Sequence, residues 1–118
     1  MKTHLLPTEL HTLGAVLDKC ILACEQCVNG CEKEGGEKSH GCVVNASSCG
    51  EVCTVLRNTL HRVEFLDAAI LAKDLAPVCA RACEACAKEC NKHPDMAHCT
   101  ECAQACRDCA AECRQFAR

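Results

Sequence analysis

Sixteen cysteines in a chain of 118 residues are the side chains that could do chemistry. Cys20, Cys24, Cys27 and Cys31 follow C-x3-C-x2-C-x3-C. Cys79, Cys83, Cys86 and Cys90 repeat it, as do Cys102, Cys106, Cys109 and Cys113, with Cys99 one step earlier. Cys42, Cys49 and Cys53 form a thinner set. Thiolates are soft ligands that select Cu(I), Zn(II) or iron–sulfur clusters. Zinc and cluster sites usually converge four ligands on one point from C-x2-C knuckles on turns. Spacings of four and three instead place the sulfurs along one stripe of a helix. An ion bridging two sulfurs needs them about 4.5 Å apart, twice a metal–sulfur bond of roughly 2.3 Å. A pair at i and i+4 reaches that by rotamer adjustment. Cu(I) accepts two or three thiolates, whereas structural zinc takes four.

Charge sharpens the choice. Sixteen thiolates in a dry interior carry sixteen negative charges, and buried charge must be neutralised. One Cu(I) per thiolate leaves a near-neutral core, while zinc would fill about four tetrathiolate sites and leave each at −2. The reading is storage of many Cu(I) ions, about one per cysteine. A zinc-binding or thiol-redox helical bundle is the alternative. Disulfides within a helix are poor, because Cβ atoms about 5–6 Å apart cannot meet the roughly 3.8 Å of a bridge. Bridges between helices stay open.

These residues need helices to align them. Pro7 and Thr8, with Thr8 as N-cap, open a helical pattern that runs to about Glu34. Gly35–Gly41 is a loop, and a second pattern runs from about Cys42 to Lys73. Asp74 and Pro77 mark the start of a third, since proline is tolerated in a first turn. It ends near Lys92, His93-Pro94-Asp95 turns the chain, and a fourth helix runs to the C-terminus. The fold expected is all-α: an antiparallel up-down-up-down four-helix bundle with a Cys-lined core, one domain over residues 1–118.

The cysteine stripe is also the core stripe. Leu10, Leu13 and Leu17 continue the first set backwards, and Leu56, Leu60 and Val63 continue the second forwards, so the thiols point inward. Counted from the end carrying the two short connections, the cysteines fall at matching depths. They form a column roughly 20–25 Å long at about 1.5 Å per residue. Below it, helices one and two are expected to project as a Leu-rich hairpin whose apolar surface favours self-association. Ala46 takes the inward slot between Cys42 and Cys49, leaving the second helix one thiol short and giving bridging copper room.

Other classes fall away. The net charge of −3, with both signs interspersed, offers no basic patch for nucleic acid. No segment approaches the roughly 20 apolar residues of a membrane span. The opening MKTHLLPTELHTLG has no apolar run of signal-peptide length, so the expectation is a cytosolic protein whose thiols stay reduced. No enzyme motif stands out: there is no Cys–His pairing at fixed spacing, no glycine-rich phosphate loop and no acidic dyad on one face.

The repeated C-x3-C-x2-C-x3-C and the stretch CARACEACAKECNKHPDMAHCTECAQACRDCAAECRQFA closely resemble the bacterial copper storage proteins, most strongly from Cys79 to Phe116. The resemblance implies a four-helix bundle filled with Cu(I)-thiolates, a homotetramer, and the cytosolic branch, whose role is sequestration. It implies the inward cysteines of all four helices as ligands. It also implies that copper enters at the end where helices one and two, and three and four, are joined. No methionine lies in the first connection, so the candidates there are His40, His93 and His98, with Met96 nearby. His93 falls three residues after Cys90 on the same stripe. His4 and His11 read as surface positions, and His61 lies off the core register. Asp67 falls on that register near the Leu-rich end.

Overall fold

The computed structural model describes residues 5–118, so His4 lies outside the described residues. Four α-helices make up the fold: α1 (Pro7–Glu34), α2 (His40–Leu60), α3 (Leu66–Cys90) and α4 (Ala97–Ala117), with one 3-10 turn at Glu37–Ser39. There is no strand among the described residues. α1 packs on α2 and α4, and α3 packs on the same two, which makes an antiparallel square of helices measuring 50 × 17 × 17 Å. The all-α bundle expected from the cysteine period is the fold observed.

Local chemistry explains most helix ends. Pro7 occupies the first turn of α1, where its missing N–H costs nothing. The N-cap is Leu6 rather than Thr8, and its backbone N–H donates to the Glu9 carboxylate at 3.3 Å. Gly35, at φ 69°, ends α1 by donating its N–H to the Cys31 carbonyl at 3.0 Å. α4 starts after an extended Met96, so neither His93 nor Asp95 caps it.

The boundary expected at Lys73–Asp74 is not where the chain turns. α2 stops at Leu60, and α3 already begins at Leu66. The intervening turn contains neither glycine nor proline. His61 and Arg62 donate back to the carbonyls of Asn58 and Thr59, and Phe65 goes extended (φ −93°, ψ 134°). Val63 points back into the core and keeps the apolar period running through the turn, which hides it in the sequence. Pro77 therefore sits inside α3, where it removes a backbone donor.

This moves two expectations. No Leu-rich hairpin projects, because α3 runs down to cover it. Ala69, Ala72 and Ala76 share one core with Leu13, Leu17 and Leu56, and Phe116 of α4 closes it from the other side. Lys73 fastens that end, its Nζ donating to the Phe116 carbonyl and lying 4.2 Å from the centroid of the ring. Asp67 is not on the core face; it is exposed in the first turn of α3, where a carboxylate suits the positive end of the helix dipole. His11 and His61 are exposed.

Candidate metal centre

Every one of the sixteen cysteines is buried, none more than 1% exposed, and all are free thiols. They fill the half of the bundle nearer the two short connections, while leucine and alanine fill the other half. The helices interleave their sulfurs across the axis. Cys53 lies 3.5 Å from Cys79 and Cys49 3.5 Å from Cys83, joining α2 to α3. Cys20 lies 3.8 Å from Cys49 and 3.7 Å from Cys106, joining α1 to α2 and α4. Cys86 and Cys24 both approach Cys102, at 3.8 and 3.9 Å. Cys113 neighbours Cys79 and Cys109. Toward the connections, Cys27 meets Cys90 at 3.8 Å, and Cys99 meets Cys31 at 3.8 Å and Cys42 at 3.9 Å. A disulfide needs about 2.05 Å, so these are thiols in contact.

The sulfurs group into sets whose members all lie within 4.8 Å of one another, among them Cys20, Cys49, Cys53 and Cys83; Cys20, Cys24, Cys49 and Cys106; Cys24, Cys86, Cys102 and Cys106; Cys53, Cys79, Cys83 and Cys109; and Cys27, Cys90 and Cys99. These four tetrads share members, so tetrahedral four-thiolate zinc sites could not fill all of them at once. A chain of bridging monovalent ions can, because each sulfur then serves two neighbours.

Burial sets the proton chemistry. Cys42 is pushed up to about 12, chiefly by burial and then by the charge of Cys99. Cys99 is raised by burial and by its hydrogen bond with Cys31. Hydrogen bonding with Cys102 raises Cys24, Cys90 and Cys106. Cys106 in turn lowers Cys20, Cys49 and Cys102. An ion that binds these sulfurs as thiolates has to displace protons from them.

The candidate histidines at this end are placed differently from one another. His98 is half-buried, and its Nε2 lies 3.5 Å from Cys31 Sγ. His93 is half-buried, with Nε2 shielded from water and without a hydrogen-bond partner. His40 is exposed as the first residue of α2. Met96 Sδ accepts from Cys99 Sγ at 3.8 Å.

Gly30 escaped the sequence reading. A Cβ there would fall 2.7 Å from Cγ of His98, so only glycine lets that ring lie against α1 and reach Cys31. The signal available was a glycine in the last turns of a helix, next to a cysteine. Gly41 is alike, since the Glu89 carboxylate of α3 occupies the space a side chain would take.

The model of a family described as "Copper storage protein" matches residues 7–118. The uncharacterized cysteine-rich protein YhjQ of Bacillus subtilis is 34% identical over 81 residues, covering 68% of this chain and 69% of that protein. Among solved structures, Cu(I)-bound BsCsp3, a copper storage protein from Bacillus subtilis, superposes with a TM-score of 0.83 at 30% identity, over 93% of this chain and 99% of the other. A cytosolic copper storage protein from Streptomyces lividans, solved with five coppers, gives a TM-score of 0.83 at 28% identity, over 93% and 92%.

Proposed function

The chain belongs to the copper storage protein family, and on that premise we propose that its sixteen cysteines together hold Cu(I) at about one ion per thiolate, as a cytosolic store. The overlap of the thiol sets carries this reading: a column in which Cys20, Cys24, Cys49, Cys53, Cys83 and Cys106 each belong to two sets suits many bridging ions better than a few separate ones. The chemistry is sequestration rather than catalysis, with residues 1–118 acting as one domain. Free buried thiols and the cytosolic description of the Streptomyces lividans relative support the compartment. Exposed Leu22, Val44, Val55, Ile70, Leu71 and Val78 support self-association, read here as a homotetramer.

Copper enters at the end where α1 meets α2 and α3 meets α4. His98 takes the ion first, together with Cys31, because its ring already touches that thiol. His93, with its shielded and unpartnered Nε2, is a second candidate at the same end, and His40 the most exposed one. Gly30→Ala is expected to displace the His98 ring, slowing Cu(I) uptake while leaving total capacity unchanged. Stopped-flow absorbance at equal copper and protein would follow it, and an unaltered rate would remove His98 from the route.

Proton release tests the thiolate reading. Cys42, raised to about 12 by burial, is protonated at neutral pH, so an ion that binds it as a thiolate frees its proton. Apparent affinity then falls as pH falls, by roughly tenfold per pH unit for each proton displaced. An anaerobic pH-stat titration should show protons released as Cu(I) is added, with the thiols that burial raises, such as Cys42 and Cys99, contributing to the release. Release near zero would mean that copper sits on groups other than these thiols.

A further inference from the structure

The mouth of the bundle has four sides. The connection through Glu37–Ser39 spans the α1–α2 side, and the turn between Cys90 and Ala97 spans the α3–α4 side. The α2–α3 connection lies at the far end, and α1 and α4 are not joined directly. Each of these two remaining sides is crossed by one side chain, lying in a notch that a glycine leaves on the facing helix. On the α1–α4 side it is the His98 ring against Gly30, with Nε2 3.5 Å from Cys31 Sγ. On the α2–α3 side it is Glu89, reaching from α3 to Gly41 at the start of α2. A Cβ on residue 41 would fall 2.7 Å from Glu89 Cδ, so the carboxyl group fills the notch. The Glu89 side chain is only 19% exposed, and its Oε2 accepts from Lys92 Nζ at 2.8 Å. The first turn of α2 also presents the positive end of a helix dipole, which suits a carboxylate. Cys42, the next residue, is the outermost thiol of α2. Its sulfur is wholly buried, donates to the Glu89 carbonyl at 4.0 Å and lies 3.9 Å from Cys99 Sγ.

We propose that Glu89 is a plug: it closes the α2–α3 side of the mouth over Cys42 and confines copper entry to the α1–α4 side, at His98. The thiol half of this inference stands on the geometry alone, and the copper half rests on the storage reading. The two covering groups differ in what they offer a Cu(I) ion. An imidazole nitrogen suits copper, whereas a carboxylate is hard and suits magnesium or calcium. An ion arriving on the α2–α3 side meets a filled notch with no soft donor in front of the sulfur. On the other side the covering group is itself a ligand, beside Cys31. The plug acts through the volume of the side chain and needs no change in its charge. An ion pair to a largely exposed lysine contributes little by itself, so the fit against Gly41, more than Lys92, holds the carboxyl group in place.

The test is alkylation of the reduced apo protein with iodoacetamide, a small neutral reagent, with the modified cysteines located by peptide mass spectrometry at early times. Glu89→Ala is expected to speed labelling of Cys42 by at least about tenfold, because attack on a buried thiol waits for a local opening. Labelling of Cys31 should stay as in the parent. Gly41→Ala pushes the carboxyl group out of the notch while favouring the helix, and should do the same. Glu89→Gln keeps the volume and should label like the parent. Helical circular dichroism reports folding, and Gly41→Ala decides if Glu89→Ala does not fold. Unchanged Cys42 labelling in the alanine variants, equal gains at Cys31 and Cys42, or fast labelling in Glu89→Gln overturns the plug. Stopped-flow uptake of Cu(I) tests the route. Gly30→Ala should load slowly, and Gly30→Ala with Glu89→Ala should regain the parent rate through the second side. A Gly30→Ala protein as fast as the parent, or a double variant as slow as Gly30→Ala, overturns the confinement of entry. A total of only one to four ions in the parent overturns the storage reading and the copper half with it, and Cys42 labelling alone then decides the plug.

Discussion

Anaerobic loading with Cu(I) is expected to carry the unfolding temperature of this bundle beyond about 90 °C, far above the roughly 45–65 °C usual for a mesophilic domain. The apo core explains the size of the change. Its thiol half is held by small, weakly interacting groups, and only one of the two phenylalanines, Phe116, is buried. Each bound ion replaces a thiol contact with bonds that tie helices together, such as α2 to α3 at Cys53 and Cys79. A ligand at 100 times its dissociation constant stabilises the folded state by about 2.7 kcal/mol, and many ions act together. The apo protein should still be a helical bundle, because the leucine–alanine half and the buried thiols already form one core. Differential scanning calorimetry with and without copper measures the shift. A change of only a few degrees would place the copper outside the core.

The second large effect is on capacity. Replacing Cys20, Cys49, Cys53 and Cys83 by alanine together removes one tetrad and takes two members from each of two others. Charge balance then predicts a loss of at least four ions, because the neighbours lose bridging partners as well as their own copper. A zinc protein using one site here would lose a single ion. Native mass spectrometry under anaerobic conditions counts the ions directly. A variant that keeps its helical circular dichroism but binds the full complement would show that these sulfurs are not ligands.

Most of this arrangement could be read from residue spacing. The four-three-four period and its continuity with Leu13, Leu17 and Leu56 force the thiols inward, and no tertiary detail is needed for that step. The α2–α3 turn was hidden because it uses ordinary residues with negative φ and keeps Val63 in register, while Pro77 mimics a helix start. A helix start at Pro77 would put Asp67 on the core face and leave a hairpin projecting, whereas the start at Leu66 does neither. At the mouth, spacing pointed to His93 because it shares a stripe with Cys90. Which histidine touches a thiol depends instead on the space left by Gly30 on another helix, and that is a relation across the bundle.

The central claim is a column loaded along its whole length, and one titration reaches it most directly. Fully reduced apo protein would be titrated with Cu(I) in the absence of oxygen, against a coloured chelator of known affinity. With no tryptophan or tyrosine, copper–thiolate absorption in the ultraviolet stands on a nearly blank background. Tight binding that continues to about one copper per cysteine, near sixteen, is the result expected. A plateau at one to four ions would contradict it, and would return the buried thiols to the zinc or thiol-redox reading.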